Sequence, residues 1–328
     1  MKKQKVFPRS AGVLMPVFSL PSPYGIGTFG KAAYEFVDFL KESGQTYWQV
    51  LPLGPTSYGD SPYQSFSAFA GNPYFIDLDF LREEGLLEQS ELDAVVWQED
   101  ENDIDYAGLY EKRFPVLKLA FSRSSHADSD AYRSFCEENQ EWLDSYAQYM
   151  ALKMHFGGKS WLEWPEPLRR RDPKALEEAL AGLTEETAFW KFCQFKFFEQ
   201  WTRLREYAHK QGIGIIGDIP IYAAMDSADT WAEPEVFYLD EDCRPIDVAG
   251  CPPDAFSATG QLWGNPLYRW DYQEKTGFAW WKRRLAATAR LYDIVRIDHF
   301  RGLVGYYAIP AGDATAENGE WRKGPGLA

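Results

Sequence analysis

Two stretches constrain the fold of this chain more than any other: Ile213-Gly214-Ile215-Ile216-Gly217-Asp218-Ile219 and Ile294-Val295-Arg296-Ile297-Asp298. Each is a short apolar run that delivers a carboxylate at or beside its end, and each follows a helical pattern. Side chains at i and i+2 of a strand share a face, so the second run presents Arg296 and Asp298 together. Two further runs, 12–18 and 47–51, read as short buried strands. Between the strands, helices are expected over 32–42 (Ala33, Phe36, Val37 and Leu40 on one face, Gly44 as stop), over a long segment carrying Trp190, Cys193, Phe197, Trp201, Leu204 and Ala208 up to Gly212, and over 278–290. Strand, helix, strand, with loops after the strands, is the grammar of a parallel β/α barrel. Four strands are expected here, and a closed barrel takes eight.

Three stretches break this pattern. Residues 52–73 form an aperiodic loop rich in Ser, Gly, Tyr and Pro, and loops of that length carry function. Residues 80–185 are charged and helical in period, and 220–270 read as another long loop. The expected organisation is a first barrel segment over 1–80, a helical insertion over 81–185 and a second barrel segment over 186–328.

Composition narrows the function. Apolar residues make up 45% of the 328, enough for a large core, and no apolar run reaches the length of a membrane span. The start, Met1-Lys2-Lys3-Gln4-Lys5, leads into no signal-peptide core, so secretion is not expected. Cys136, Cys193, Cys243 and Cys251 are scattered without a C-x-x-C, which points to reduced thiols in the cytoplasm. The four histidines lack metal-ligand spacing, so no metal is expected. A net charge of −15 argues against nucleic acid and fits a neutral substrate. Thirteen tryptophans and 16% aromatics fill a core first, but pyranose faces also stack on such rings.

Asp298 beside Arg296 resembles the way a retaining glycosidase presents its nucleophile, with a cationic neighbour that keeps it ionised. A structural ion pair is the plainer alternative. Asp218 stands at the end of the neighbouring run, and two strand-end carboxylates converge on one site. His299 follows directly and joins the candidate catalytic residues, against the plainer reading of a satisfied structural histidine. Such chemistry needs a second carboxylic acid as proton donor, and nothing in 299–328 looks like one; Glu317 and Glu320 lie in a turn sequence. The segment Thr259-Gly260-Gln261-Leu262-Trp263-Gly264-Asn265-Pro266 is either a turn-rich connector or a mobile lid with a stacking ring and hydroxyl-binding amides. Tyr58-Gly59-Asp60-Ser61-Pro62-Tyr63-Gln64 has the same mix. Gly25-Ile26-Gly27-Thr28-Phe29-Gly30 matches a dinucleotide fingerprint only superficially. It is displaced from its strand, and the next strand ends Gln49-Val50-Leu51-Pro52 without an acid.

Taken together, the runs Gly-Pro-Thr-Ser-Tyr-Gly-Asp-Ser-Pro-Tyr-Gln (54–64), Gly-Asp-Ile-Pro-Ile-Tyr (217–222), Thr-Gly-Gln-Leu-Trp-Gly-Asn-Pro-Leu-Tyr (259–268) and Arg-Ile-Asp-His-Phe-Arg-Gly (296–302) make the chain resemble the 4-α-glucanotransferases (amylomaltases, or disproportionating enzymes) of glycoside hydrolase family 77. The resemblance implies a (β/α)8 barrel of the α-amylase clan type, here truncated after about the fourth strand, with a helical insertion. It implies retaining transfer of α-1,4-glucan segments among malto-oligosaccharides, with no cofactor. It casts Asp298 as nucleophile, Arg296 as the residue that steadies it, and Asp218 as a third site residue. Asp254, Gln261, Trp263 and Asn265 fall in or beside a loop that closes over the glucan. Ser61, Tyr63 and Gln64 fall where donor sugars are contacted, and Tyr58 near a remote glucan site. The family's acid/base glutamate, on its fifth strand, and a third essential aspartate have no match here. The expectation is therefore an N-terminal fragment, inactive alone. An α-amylase-like hydrolase and a non-catalytic glucan-binding protein are the rival readings.

Overall fold

The computed structural model describes residues 9–327 apart from Tyr58, Glu99 and Glu101. Among the described residues there are eight strands: β1 (Gly12–Leu14), β2 (Tyr47–Gln49), β3 (Gly214–Ile219), β4 (Asp247–Cys251), β5 (Gln261–Pro266), β6 (Ile294–Ile297), β7 (Gly305–Pro310) and β8 (Glu320–Lys323). They form two four-stranded sheets. The first is parallel, in the order β1-β2-β3-β6, and the second antiparallel, in the order β5-β4-β7-β8.

The parallel sheet follows the expected alternation. The helix Lys31–Glu42 buries Ala33, Val37 and Leu40, spaced one and two turns apart. It ends with Gly44 at φ +70°, whose N–H bonds Lys41 O while Gln45 N–H bonds Leu40 O. That pair of bonds caps the last carbonyls and turns the chain into β2. The helix Thr184–Lys210 ends identically: Gly212 at φ +82° bonds His209 O, Ile213 N–H bonds Ala208 O, and the chain enters β3. One face of the sheet, with Trp48 and Ile215 fully buried, packs on these helices. The other face, where Leu14, Tyr47, Gln49, Ile216 and Ile294 line an open hollow, carries Asp218 and Arg296 in the same alternation.

The helical stretch from Leu78–Glu83 to Pro173–Ala181 matches its expected character and shares one buried core with the sheet, from Val17 to Tyr292. The Gly25–Gly30 segment serves packing. A Cβ on Gly27 would stand 2.0 Å from Val17 O, and one on Gly30 would stand 1.9 Å from Asp77 Oδ2.

Two expectations are corrected. The first run is a strand only over Gly12–Leu14, and it is not buried: Leu14 is 52% exposed, because β1 is an outer strand with its second face open. The 220–270 stretch is not a loop. It holds the helix Ala228–Ala232 and strands β4 and β5, which pair antiparallel with each other, and β4 pairs on its other side with β7 from beyond Asp298. So Gln261, Trp263 and Asn265 lie on a strand rather than in a free lid. The run Val248-Ala249-Gly250 has no alternation to read, since β4 is buried on both faces and Gly250 is needed where a Cβ would meet Gln261 O at 2.1 Å.

Candidate functional site

The parallel register sets the charged centre. In β3 and β6, Asp218 pairs with Arg296 and Ile219 with Ile297, and Asp298 N–H continues the ladder to Ile219 O at 2.9 Å. Neighbouring strand ends therefore place an aspartate, an arginine and a second aspartate side by side. Arg296 Nη1 donates to Asp218 Oδ2 at 2.5 Å, and Arg296 Nη2 donates to Asp298 Oδ1 at 2.6 Å. Charge-assisted bonds of this kind orient as well as attract. Tyr63 Oη donates to the same Asp218 Oδ2 at 2.7 Å. Asp218 is 0% exposed, whereas the side chains of Arg296 and Asp298 are 46% and 40% exposed. Burial pushes the Asp218 carboxyl up, against the opposing pull of Tyr63 and Arg296. Burial, with Asp218 as an acceptor, raises the Tyr63 phenol to about 12. Tyr63 therefore remains a donor across the physiological range.

A cleft of about 440 Å³ opens over this centre. Ser61, Tyr63 and Gln64 come from the loop after β2, Tyr222 from the segment after β3, Gln261, Trp263 and Asn265 from β5, and Asp298 and His299 from the end of β6. The amides lace these segments together. Gln64 Nε2 donates to Asn265 Oδ1 at 2.9 Å and to Trp263 O at 3.2 Å, and Asn265 Nδ2 donates to Ala223 O at 3.0 Å. Gln261 Oε1 accepts from the Trp263 indole N–H at 3.0 Å. His299 sits in the left-handed region at φ +48°, with its ring edge-on to Trp263 at 4.8 Å. Burial lowers the imidazole pKa, and Nε2 is buried without a protein partner.

Eight of the residues expected at the site thus share one cleft, and Asp218 and Arg296 stand directly behind it. Asp254 does not join them. Its Oδ1 accepts from Phe256 N–H and Ser257 N–H within its own turn, which fixes it outside the lining. Tyr58 lies outside the described residues. Sequence reasoning passed over Tyr222, although it closes the quoted Gly-Asp-Ile-Pro-Ile-Tyr run; its ring lies 6.3 Å from that of Trp263. Arg284 was also missed. It is 1% exposed, and it donates to Ile221 O at 2.8 Å, to Tyr268 Oη at 3.0 Å and to Pro220 O. No local signal marks an arginine in an amphipathic helix as buried.

Asp298 is the one carboxylate among the described residues that line the cleft. Glu317 bonds Thr315 Oγ1 and Glu320 pairs with Arg322, both in the antiparallel sheet region. Among the described residues there is no group of three or more His, Cys, Asp or Glu placed to hold a metal, and no helix is long and apolar enough to cross a membrane. The arrangement offers one oriented carboxylate, fixed donors around it, and an aromatic and amide wall suited to a polyhydroxylated ligand.

Comparison with known proteins places this geometry in context. The model of glycoside hydrolase family 77, described as 4-alpha-glucanotransferase, matches residues 15–328. The 4-alpha-glucanotransferase of Clostridium butyricum is 51% identical over 312 residues, covering 95% of this chain and 64% of its own length. That of Thermus thermophilus is 52% identical over 323 residues, covering 97% and 64%. Among solved structures, amylomaltase from Streptococcus agalactiae in complex with acarbose superposes with a TM-score of 0.94 at 45% identity, over 97% of this chain and 64% of that one. The amylomaltase from Corynebacterium glutamicum, at 22% identity and a TM-score of 0.75, shares the fold. The chain spans about 64% of the length of the curated relatives named here.

Proposed function

Since the chain belongs to glycoside hydrolase family 77, the 4-α-glucanotransferases, we propose that it builds the nucleophile side of an α-1,4-glucan transfer centre. Asp298 attacks the anomeric carbon of the donor sugar. The glycosidic bond breaks, the leaving sugar takes a proton from an acid/base glutamate supplied from outside residues 1–328, and a β-glucosyl-enzyme remains. The 4-hydroxyl of an acceptor sugar gives its proton back to that glutamate as it displaces Asp298, and two inversions give net retention. Arg296 holds the carboxylate in line through its bond to Asp298 and is itself fixed by Asp218 and Tyr63. Trp263 offers a ring face to the glucan, while Ser61, Gln64, Gln261 and Asn265 offer hydroxyl and amide groups. No cofactor enters the reaction.

The observation that carries this reading is the guanidinium bridging two strand-end aspartates beneath an aromatic and amide cleft. The reading extends to the architecture. The four parallel strands are the first half of a (β/α)8 barrel of the α-amylase type, interrupted by the helical insertion of 81–185. Four further strands from outside residues 1–328 would close it and bring the proton-donating glutamate. That fits the share of the relatives' length that is matched. It also fits the cytoplasm, since all four cysteines are free.

The test has two arms. The 328-residue chain binds acarbose without converting maltotriose, and Trp263→Ala weakens that binding about tenfold, the loss of one aromatic contact. The chain extended by the remaining third of a relative converts maltotriose to longer oligomers, and Asp298→Asn abolishes the conversion. Release of glucose without longer products would replace transfer by hydrolysis. Turnover surviving Asp298→Asn would remove the nucleophile assignment.

A further inference from the structure

Residues 220–223 leave the end of β3, and Pro220, Ile221 and Tyr222 among them line the strand-end cleft. The parallel ladder reaches only as far as the bond from Asp298 N–H to Ile219 O. The carbonyls that follow are taken by side chains instead, as buried carbonyls require a donor. Arg284, from the helix Ala279–Leu291, donates through Nη2 to Pro220 O and through Nη1 to Ile221 O at 2.8 Å, while Asn265 Nδ2 takes Ala223 O at 3.0 Å. Arg284 Nη1 also donates to Tyr268 Oη at 3.0 Å, and Tyr268 Oη donates to the same Ile221 O at 2.8 Å. Guanidinium, phenol and carbonyl thus close a triangle whose two side chains, Arg284 and Tyr268, are 1% and 2% exposed.

A buried cation is a costly way to hold backbone. These three partners are neutral oxygens, and the rings of Trp280 and Trp281, 5.5 and 5.2 Å from the guanidinium carbon, give partial compensation. What the guanidinium adds over another donor is geometry. Its planar fork reaches two successive carbonyls and a hydroxyl at once, which an ammonium on a flexible stem does not fix. That rigidity passes outward through rings. Tyr268 stacks on Tyr222 with centroids 5.9 Å apart and planes at 23°, and Tyr222 lies 6.3 Å from Trp263. Tyr222 is 5% exposed, so it backs Trp263 rather than facing a ligand. We infer that Arg284 is a positioning residue for the cleft: from behind the cleft wall it holds the Tyr268–Tyr222 stack, and through that stack the glucan-facing ring of Trp263. The inference rests on the reading of the strand-end cleft as a glucan site.

Fluorine NMR of the 328-residue chain labelled with fluorotryptophan, combined with acarbose titration, tests this. The Trp263 signal is identified by its loss in Trp263→Ala. The signals of the fully buried Trp48 and Trp161, which lie in the other core, report the fold and are identified by Trp48→Phe and Trp161→Phe. In Arg284→Lys the Trp263 signal is expected to shift or broaden while those of Trp48 and Trp161 stay in place. Acarbose affinity should fall about fivefold, the loss of one ordinary hydrogen bond. In a Trp263→Ala background the same change should add nothing, because both act on one ring. Tyr268→Phe keeps the stacked rings and removes only the hydroxyl, so it should act in the same direction to a smaller degree; it replaces Arg284→Lys in every comparison if Arg284→Lys also moves the Trp48 and Trp161 signals. An unmoved Trp263 signal overturns the inference. So do losses of affinity that add in full across Arg284→Lys and Trp263→Ala, and so does unchanged affinity in Arg284→Lys when Trp263→Ala binds more weakly. If the Trp263 signal moves while neither change alters acarbose binding, the positioning of the ring stands and the glucan reading of the cleft falls.

Discussion

The two sheets meet the strand-end cleft with different equipment. The parallel sheet brings charge: Asp218, Arg296 and Asp298 stand on adjacent strands in fixed register, with Asp218 wholly out of water. The antiparallel sheet brings rings and amides. Along β5, Gln261 is exposed, Trp263 intermediate and Asn265 buried, so the strand runs from solvent into the core. A charged centre must be preorganised, because a misplaced ion in a partly buried site costs more than it contributes. A surface that follows a flexible polymer gains from lying at a rim. Under the proposed function, this division would put the chemistry on the parallel sheet and the recognition on the antiparallel one.

The sharpest way to break this comparison is Arg296→Met. It leaves Asp218 buried beside Asp298 without a cation. Unfolding free energy from urea titration is expected to fall by about 3 kcal/mol, the low end for a broken buried pair because Arg296 is half-exposed. A loss under about 1 kcal/mol would show that the parallel sheet does not depend on its charges.

A second test uses pH and the connection between the sheets. Burial pushes the Asp229 carboxyl, which accepts from Ala68 N–H across the β2 loop, up to about 6. Its folded value is raised, so the folded state binds the extra proton. That stability is fully present below the ordinary value of 3.8 and is lost as pH rises through about 6. The total change is about 3 kcal/mol. Asp229→Asn should flatten this slope in urea midpoints compared across the window. A slope that persists would assign it to other groups.

Smaller effects sharpen the boundary between the sheets. Asn265→Ala removes the amide that joins β5 to Gln64 and Ala223, and about 2 kcal/mol of stability should go with it. Because Asn265 also faces the cleft, acarbose binding should weaken in parallel. Tyr63→Phe removes one of the two hydrogen bonds on Asp218 and should lower stability by about 1 kcal/mol. A thermal-melt series in which Tyr63→Phe lowers the midpoint more than Asn265→Ala does would overturn this ranking.

Legibility divides along the same line. The parallel strands announce themselves because each is an apolar run between a helix stop and a loop, and the stops at Gly44 and Gly212 are local chemistry. The extent of β1 was misjudged because an outer strand of an open sheet keeps the composition of an inner one. The antiparallel sheet was invisible. Its strands β4 and β5 carry Gly250, Gly264, Asn265 and Pro266, which read as turns, and its pairing partners in β7 lie far along the chain. The pairing of Arg296 with both aspartates was half legible, since the i, i+2 rule gives Asp298 while only the register gives Asp218. Asp254 lies apart from the cleft because its own turn's backbone donors hold its side chain, which composition alone does not reveal.

The parallel register has a consequence in time. Gln49 pairs with Ile216, yet residues 50–215 separate them. During synthesis at ~5–20 residues per second, β2 leaves the ribosome roughly ten to thirty seconds before its partner exists. Through that interval Trp48, destined for full burial, has only the helix Lys31–Glu42 and the outer strand β1 to lie against. Contacts this distant in sequence fold slowly. The helical residues made in the meantime are the ones that must shelter the half-built sheet.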